Sequence, residues 1–81
     1  MSSQVHRHTK SIVAENIKAA RDAKGLKQRE VAVALGMDSI SVSRWERGKS
    51  LPDPVATMPR LAELLGVDVG WIYTDHERSA A

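Results

Sequence analysis

The run at residues 28–45 most constrains what this chain can fold into, because one helix must stop and another must start within it. Gly36 ends the first helix, since glycine readily takes the left-handed conformation found at helix ends. Asp38 is a suitable N-cap for the second helix, and Met37 and Val42 have the spacing of a hydrophobic staple. The run therefore predicts two short helices that meet at a tight corner.

Periodicity and stop signals predict three more helices around this corner. The first begins near residue 10 or 11 and ends at Gly25. The fourth spans about residues 57–65, with Pro59 in its first turn, where the missing backbone donor is harmless. A last short helix follows Asp68, which we expect to cap it.

The composition favours an all-α fold with a single small core. Of the 81 residues, 42% are hydrophobic but only 4% are aromatic, which suits helices rich in alanine and leucine better than a sheet. The chain has no cysteine, so packing must hold the core, as is usual in a reducing compartment. We expect a disordered arm at residues 1–9, one domain at 10–75 and a C-terminal tail at 76–81.

Charge is divided unevenly along the chain. The first 50 residues carry a net charge of +5 and the remainder carries −3, which together give the overall +2. A polyanion would be drawn to the first part and not to the second. Taken alone, such a distribution of charge is more often just a solvated surface.

The third predicted helix, at about residues 39–47, has two different sides. At about 100° per residue, Val42, Trp45 and Glu46 fall on one side. The other side is short, polar and basic, and it consists of Ile40, Ser43, Arg44 and Arg47. A solvated helix usually carries long Glu and Lys pairs, whereas serine, isoleucine and arginine suit close approach to the base edges of DNA.

Four motifs resemble those of the Cro/C1-type (phage repressor-like, xenobiotic response element) helix-turn-helix family: GLKQ at 25–28, EVA at 30–32, SRWERGK at 43–49 and LAELLGVD at 61–68. The resemblance extends over about residues 12–73. It implies a five-helix, lambda repressor-like domain whose helix at about 39–47 recognises DNA. The implied function is a sequence-specific transcriptional regulator of the repressor type that binds double-stranded DNA.

The resemblance also implies roles for individual residues. The predicted base contacts are Ser39, Ile40, Ser43 and Arg44. The predicted phosphate contacts are Gln28, Lys27, Arg29, Arg47 and Lys49. A structural ion pair is implied for Arg21 and Glu46, and a dimer surface for Val69, Trp71 and Ile72.

Two of these residues suggest which bases the helix recognises. Arg44 can donate hydrogen bonds to O6 and N7 of a guanine through both arms of its guanidinium, and Ile40 can pack on a thymine methyl.

Two positions depart from the family pattern, because Lys27 stands where a capping residue is usual and Ile40 stands where a polar residue is frequent. The fold implied by the family tolerates both changes.

The expected partners are a twofold-symmetric DNA operator and a second copy of the chain. The main alternative is an antitoxin-like or polymerase-contacting module, in which the acidic part at about 53–77 binds a toxin or RNA polymerase. A nonspecific nucleoid or RNA binder is a third reading. We expect the protein in the cytoplasm, associated with the nucleoid, and of bacterial or phage origin.

Other classes of function lack their signals in this sequence. It contains no recognisable catalytic motif, so we expect neither an enzyme nor a cofactor. His6 and His8 stand in the predicted arm without further ligands, which argues against a metal site. No apolar run reaches the roughly 20 residues that a membrane span requires.

Overall fold

The computed structural model describes residues 8–76. Within this range the chain forms five helices and no strand: α1 (Thr9–Ala23), α2 (Gln28–Leu35), α3 (Ser39–Glu46), α4 (Met58–Leu65) and α5 (Val69–Tyr73). The all-α prediction is confirmed, and the helix ends differ from the expected ones by no more than the usual uncertainty of about two residues. Residues 1–7 and 77–81, which include most of the predicted arm and tail, lie outside the described range.

One apolar core forms where the helices meet. Every helix contributes at least one fully enclosed side chain, and these are Val13, Ile17, Val31, Val42, Met58, Leu61 and Ile72. Burying an aliphatic side chain of this size stabilises the fold by about 1.5–3 kcal/mol. Trp45 is only 3% exposed and belongs to the same core. The side of α3 that carries Val42 and Trp45 is therefore turned inward.

The corner between α2 and α3 is made by Gly36, whose φ of 71° lies in the left-handed region. This conformation strains any residue with a Cβ and lets the chain reverse sharply. The Met37 amide then donates to the carbonyl of Ala32 at 2.8 Å, which closes the end of α2. The predicted tight corner is present, and it sets the start of α3 two residues further on.

The connection between α3 and α4 is organised by Asp53. Its carboxylate accepts hydrogen bonds from the amides of Val55 and Ala56, at 3.1 and 2.6 Å, and its carbonyl accepts one from the Met58 amide at 2.8 Å. Pro59 lies in the first turn of α4, as predicted. The long connection is thus held by its own hydrogen bonds.

The predicted caps have different outcomes. Asp38 accepts a hydrogen bond from the Ser41 amide at 3.1 Å and caps α3 as expected. Asp68 stands at the N-cap of α5, but the prediction that its side chain caps the helix is wrong, because the side chain makes no such bond. The single turn of α5 is closed by backbone instead, with the Trp71 amide donating to the Asp68 carbonyl at 3.0 Å.

The predicted dimer surface on α5 needs one correction. Ile72 has no exposed surface, because it is the side chain with which this five-residue helix is anchored in the core. Val69 and Trp71 are half-buried and pack against the edge of the core. Only these two remain available to a partner.

Asn16 is the one buried polar residue among residues 8–76, and the sequence analysis overlooked it. Its side-chain amide donates to the carbonyl of Ile72 at 2.8 Å, to that of Thr74 at 2.7 Å and, more weakly, to that of Trp71 at 3.2 Å. These bonds connect the middle of α1 to the end of α5. A helix of five residues has little stability of its own, so its position depends on this amide.

No helix among the described residues is both long enough and apolar enough to cross a lipid bilayer.

We expect Asn16→Ala to lower the free energy of unfolding by about 2–3 kcal/mol, because carbonyls at the end of α5 lose their buried donor. Urea denaturation followed by circular dichroism measures the change. Lys18→Ala, an exposed substitution on the same helix, is the control and should have little effect. Equal midpoints for the two variants would contradict the assignment.

Candidate nucleic-acid interface

The exposed side of α3 carries all four predicted base contacts. Ile40 is 66% exposed and Arg44 is also exposed, while the shorter Ser39 and Ser43 are half-buried. We call these four residues the reading face. It contains no acidic side chain, because the only acid in α3, Glu46, points into the protein.

The inward side of α3 ends in a nearly buried carboxylate. Only 3% of the Glu46 side chain is exposed. Its Oε2 accepts from Nε of Arg21 at 2.5 Å, and its Oε1 accepts from Nη2 of Arg21 at 2.9 Å. This two-armed geometry is the strong arrangement for an arginine and a carboxylate. The residues assigned as a structural ion pair thus lie in direct contact.

Arg21 is held by further groups around the start of α2. Its Nη1 donates to the carbonyl of Leu26 at 2.8 Å and lies 3.4 Å from the exposed carboxylate of Asp22. The hydrogen bond with Glu46 is the main cause that raises the pKa of Arg21 above its ordinary value, against the opposing effect of burial. The positive guanidinium thus lies directly against the negative carboxylate and offsets its charge.

Gln28 joins the same group, which the sequence did not reveal. Its Nε2 donates to Oε1 of Glu46 at 3.0 Å, so the carboxylate connects α1, α2 and α3. Gln28 was predicted to contact a DNA phosphate. An amide nitrogen has two hydrogens, and this bond occupies one of them.

The bond between Gln28 and Glu46 brings the start of α2 beside the end of α3. The charged residues at these two helix ends are therefore near one another. The four remaining predicted phosphate contacts flank this junction and are exposed, and we call them the basic edge: Lys27, Arg29, Arg47 and Lys49. Glu30 also lies in the first turn of α2, where it accepts a hydrogen bond from the Lys27 amide at 2.7 Å.

The start of α1 approaches the same region. A Cβ placed on Gly48 would lie 3.7 Å from the carbonyl oxygen of Lys10, so this end of α1 packs near the turn that follows α3. Lys10 is exposed and adds to the positive charge there. Within residues 8–76, no three histidine, aspartate or glutamate side chains are grouped closely enough to bind a metal ion.

The arrangement can do two things chemically. The basic edge offers cations to a phosphate backbone, which gives affinity without regard to sequence. The reading face offers one long planar donor, two hydroxyls and one aliphatic group, which are the groups that distinguish base pairs in a major groove. The two surfaces adjoin because Arg47 and Lys49 of the basic edge follow shortly after Arg44 of the reading face.

Comparison with known proteins supports the fold. A helix-turn-helix family model matches residues 17–72 of the chain. A hypothetical transcription factor, NHTF from Neisseria, has a similar structure with a TM-score of 0.79 and 22% identity, over 98% of this chain and 92% of that one. No protein in a search of curated sequences matches the chain.

Hydroxypropylphosphonic acid epoxidase from S. wedmorenis is also similar, with a TM-score of 0.77 and 23% identity over 85% of this chain. The match covers only 36% of the epoxidase, so the chain spans about a third of that protein's length. At this identity the likeness shows a shared fold alone. It assigns no catalytic role to the residues described above.

Removing either partner of the Arg21–Glu46 pair should destabilise the protein more than removing both. We expect Arg21→Met or Glu46→Leu alone to lower the free energy of unfolding by about 3–5 kcal/mol, because each leaves a nearly buried charge without its partner. The double variant should lose less than either single one. Chemical denaturation at low temperature measures all three.

Asp22→Ala is the matched control, since it removes an exposed carboxylate that lies near the same arginine. We expect it to cost about 0.5 kcal/mol or less. A double variant whose loss equals the sum of the two single losses would contradict coupling within the pair.

Proposed function

The chain belongs to the Cro/C1-type helix-turn-helix family of DNA-binding regulators, and on that premise we propose that it recognises a specific sequence in double-stranded DNA as a transcriptional repressor. The observation that carries this proposal is the reading face. Arg44 and Ile40 are exposed there, while Glu46, the only acid of α3, is buried and neutralised by Arg21. The four residues of the reading face itself thus carry no negative charge toward a polyanion.

Arg44 is the residue on which sequence recognition depends in this proposal. Among residues 8–76, no hydrogen bond or ion pair to another residue occupies its guanidinium, which leaves its donors available to a base. A guanidinium can donate in parallel to O6 and N7 of guanine, the commonest specific contact in major grooves. Ser39 and Ser43 provide hydroxyls that either donate or accept.

The basic edge supplies most of the affinity. Lys27, Arg29, Arg47 and Lys49 would contact phosphates on the two sides of the groove that holds α3, and Gln28 would add its second amide hydrogen. Such contacts fix the register of docking and carry no sequence information. They also make the affinity fall steeply as the salt concentration rises.

We further propose that two copies bind one operator. A single reading face is small, and a twofold-symmetric pair of half-sites about one helical turn apart doubles the number of base contacts. The half-buried Val69 and Trp71 of α5 are the part of the predicted dimer surface that stays accessible. We also propose that the DNA-binding domain spans about residues 10–75.

Selection from a random duplex pool should enrich symmetric sequences, and Arg44→Ala should bind them about tenfold to a hundredfold more weakly, the cost of one lost two-armed base contact. Fluorescence anisotropy at fixed salt measures the affinity. Arg60→Ala is the matched control, because it removes the same charge from α4, where Arg60 contacts the Ala34 carbonyl at the opposite end of α2 from Gln28. A pool that yields no enriched sequence, or equal losses in the two variants, would count against sequence recognition through Arg44.

Lys49→Gln should weaken binding to the selected duplex and to a scrambled one by the same factor, because a phosphate contact carries no sequence information. The slope of log affinity against log salt should become shallower by about one unit. Lys24→Gln is the control, since the Lys24 side chain lies against Gly66 at the turn between α4 and α5. A larger effect on the selected duplex than on the scrambled one would place Lys49 at a base instead.

A further inference from the structure

Ile40 is an exposed aliphatic side chain in the middle of the reading face. It is 66% exposed and takes no part in the core or in the set of half-buried side chains that pack against the core. A single exposed hydrophobic residue is ordinary on a protein surface. Ile40 differs from such residues because it lies beside Arg44, so that both side chains enter the same DNA groove when α3 binds there.

The two residues stand on the same side of α3, close enough for their side chains to reach neighbouring base pairs in one groove. Ile40 and Arg44 stand four residues apart on α3, which brings their Cβ atoms to within about 5–6 Å on the same side of the helix. Stacked base pairs along one strand are about 3.4 Å apart. Both O6 and N7 of guanine and the C5-methyl of a pyrimidine lie on the major-groove edge.

We propose that Ile40 and Arg44 act as one unit that recognises the C5-methyl group of a pyrimidine next to a guanine. Arg44 donates to O6 and N7 of the guanine, and Ile40 packs on the methyl group of its neighbour. This inference rests on the proposed DNA-binding function and adds to it the chemical group that Ile40 reads.

The methyl group has two sources in DNA, thymine and 5-methylcytosine. Both carry it at the same ring position, and they differ at the adjacent O4 or N4, which an aliphatic side chain cannot distinguish by hydrogen bonding. Cytosine lacks the methyl group and offers Ile40 no such contact. The affinity of this protein for sites that contain cytosine beside guanine therefore depends on cytosine methylation.

The test uses duplexes selected from a random pool, each synthesised with and without one methyl group. At every pyrimidine beside the guanine that depends on Arg44, thymine is compared with uracil and 5-methylcytosine with cytosine. Each pair differs by the methyl group alone. We expect the duplex without the methyl group to bind about three- to fivefold more weakly in both pairs, the effect of one methyl group removed from water.

Two variants assign the effect to Ile40. Ile40→Ala should bind the members of each pair equally, and its thermal unfolding should be unchanged because the side chain is largely exposed. Val33→Ala is the matched control, since it shortens a 72% exposed aliphatic side chain on α2, outside the reading face. It should retain the full preference for the methylated duplex.

The outcomes separate this inference from the function on which it rests. A pool without any enriched sequence overturns both. Enriched sequences that depend on Arg44, but bind equally with thymine and uracil, leave the proposed function standing and overturn the role of Ile40. A methyl preference that persists in Ile40→Ala overturns it as well. A preference in the thymine pair alone overturns the dependence on cytosine methylation.

Discussion

The carboxylate of Glu46 is the group on which the rest of this structure depends. It is almost fully buried, and it accepts hydrogen bonds from Arg21 of α1 and from Gln28 of α2. Apolar packing of Val42 and Trp45 draws α3 against its neighbours, but packing has no direction, whereas two-armed hydrogen bonds do. The carboxylate therefore fixes how α3 is turned about its own axis, and with that which residues face outward.

The fold was largely predictable because its signals are local. Gly25, Gly36 and Gly66 mark helix ends, and apolar side chains recur at helical spacing between them, so each element could be recognised within one window of sequence. The two sides of α3 followed from the same periodicity. The contact between Arg21 and Glu46 was implied by resemblance, since the two residues are 25 positions apart and no local pattern links them.

Contacts between distant segments were harder to predict. Asn16 stands three residues after Val13 and four before Ala20, so helical periodicity places it on the same buried stripe of α1 as these two residues. A polar residue on that stripe was a signal that could have been used. No such signal existed for the bond between Gln28 and Glu46, or for the burial of Ile72, because each depends on how helices pack. A one-turn helix such as α5 has too few residues to show which side faces the core.

Asn16 also has a consequence for the rates at which the protein folds and unfolds. The carbonyls that it binds are 55 to 58 positions away along the chain, and the partners of Arg21 and Gln28 are much closer in sequence. Closing so long a loop is entropically costly until the intervening helices have packed. Bonds that form after the folding transition state slow unfolding without speeding folding, and we expect the Asn16 bonds to be of this kind. We therefore expect the amide in the middle of α1 to affect the rate of unfolding more than the rate of folding.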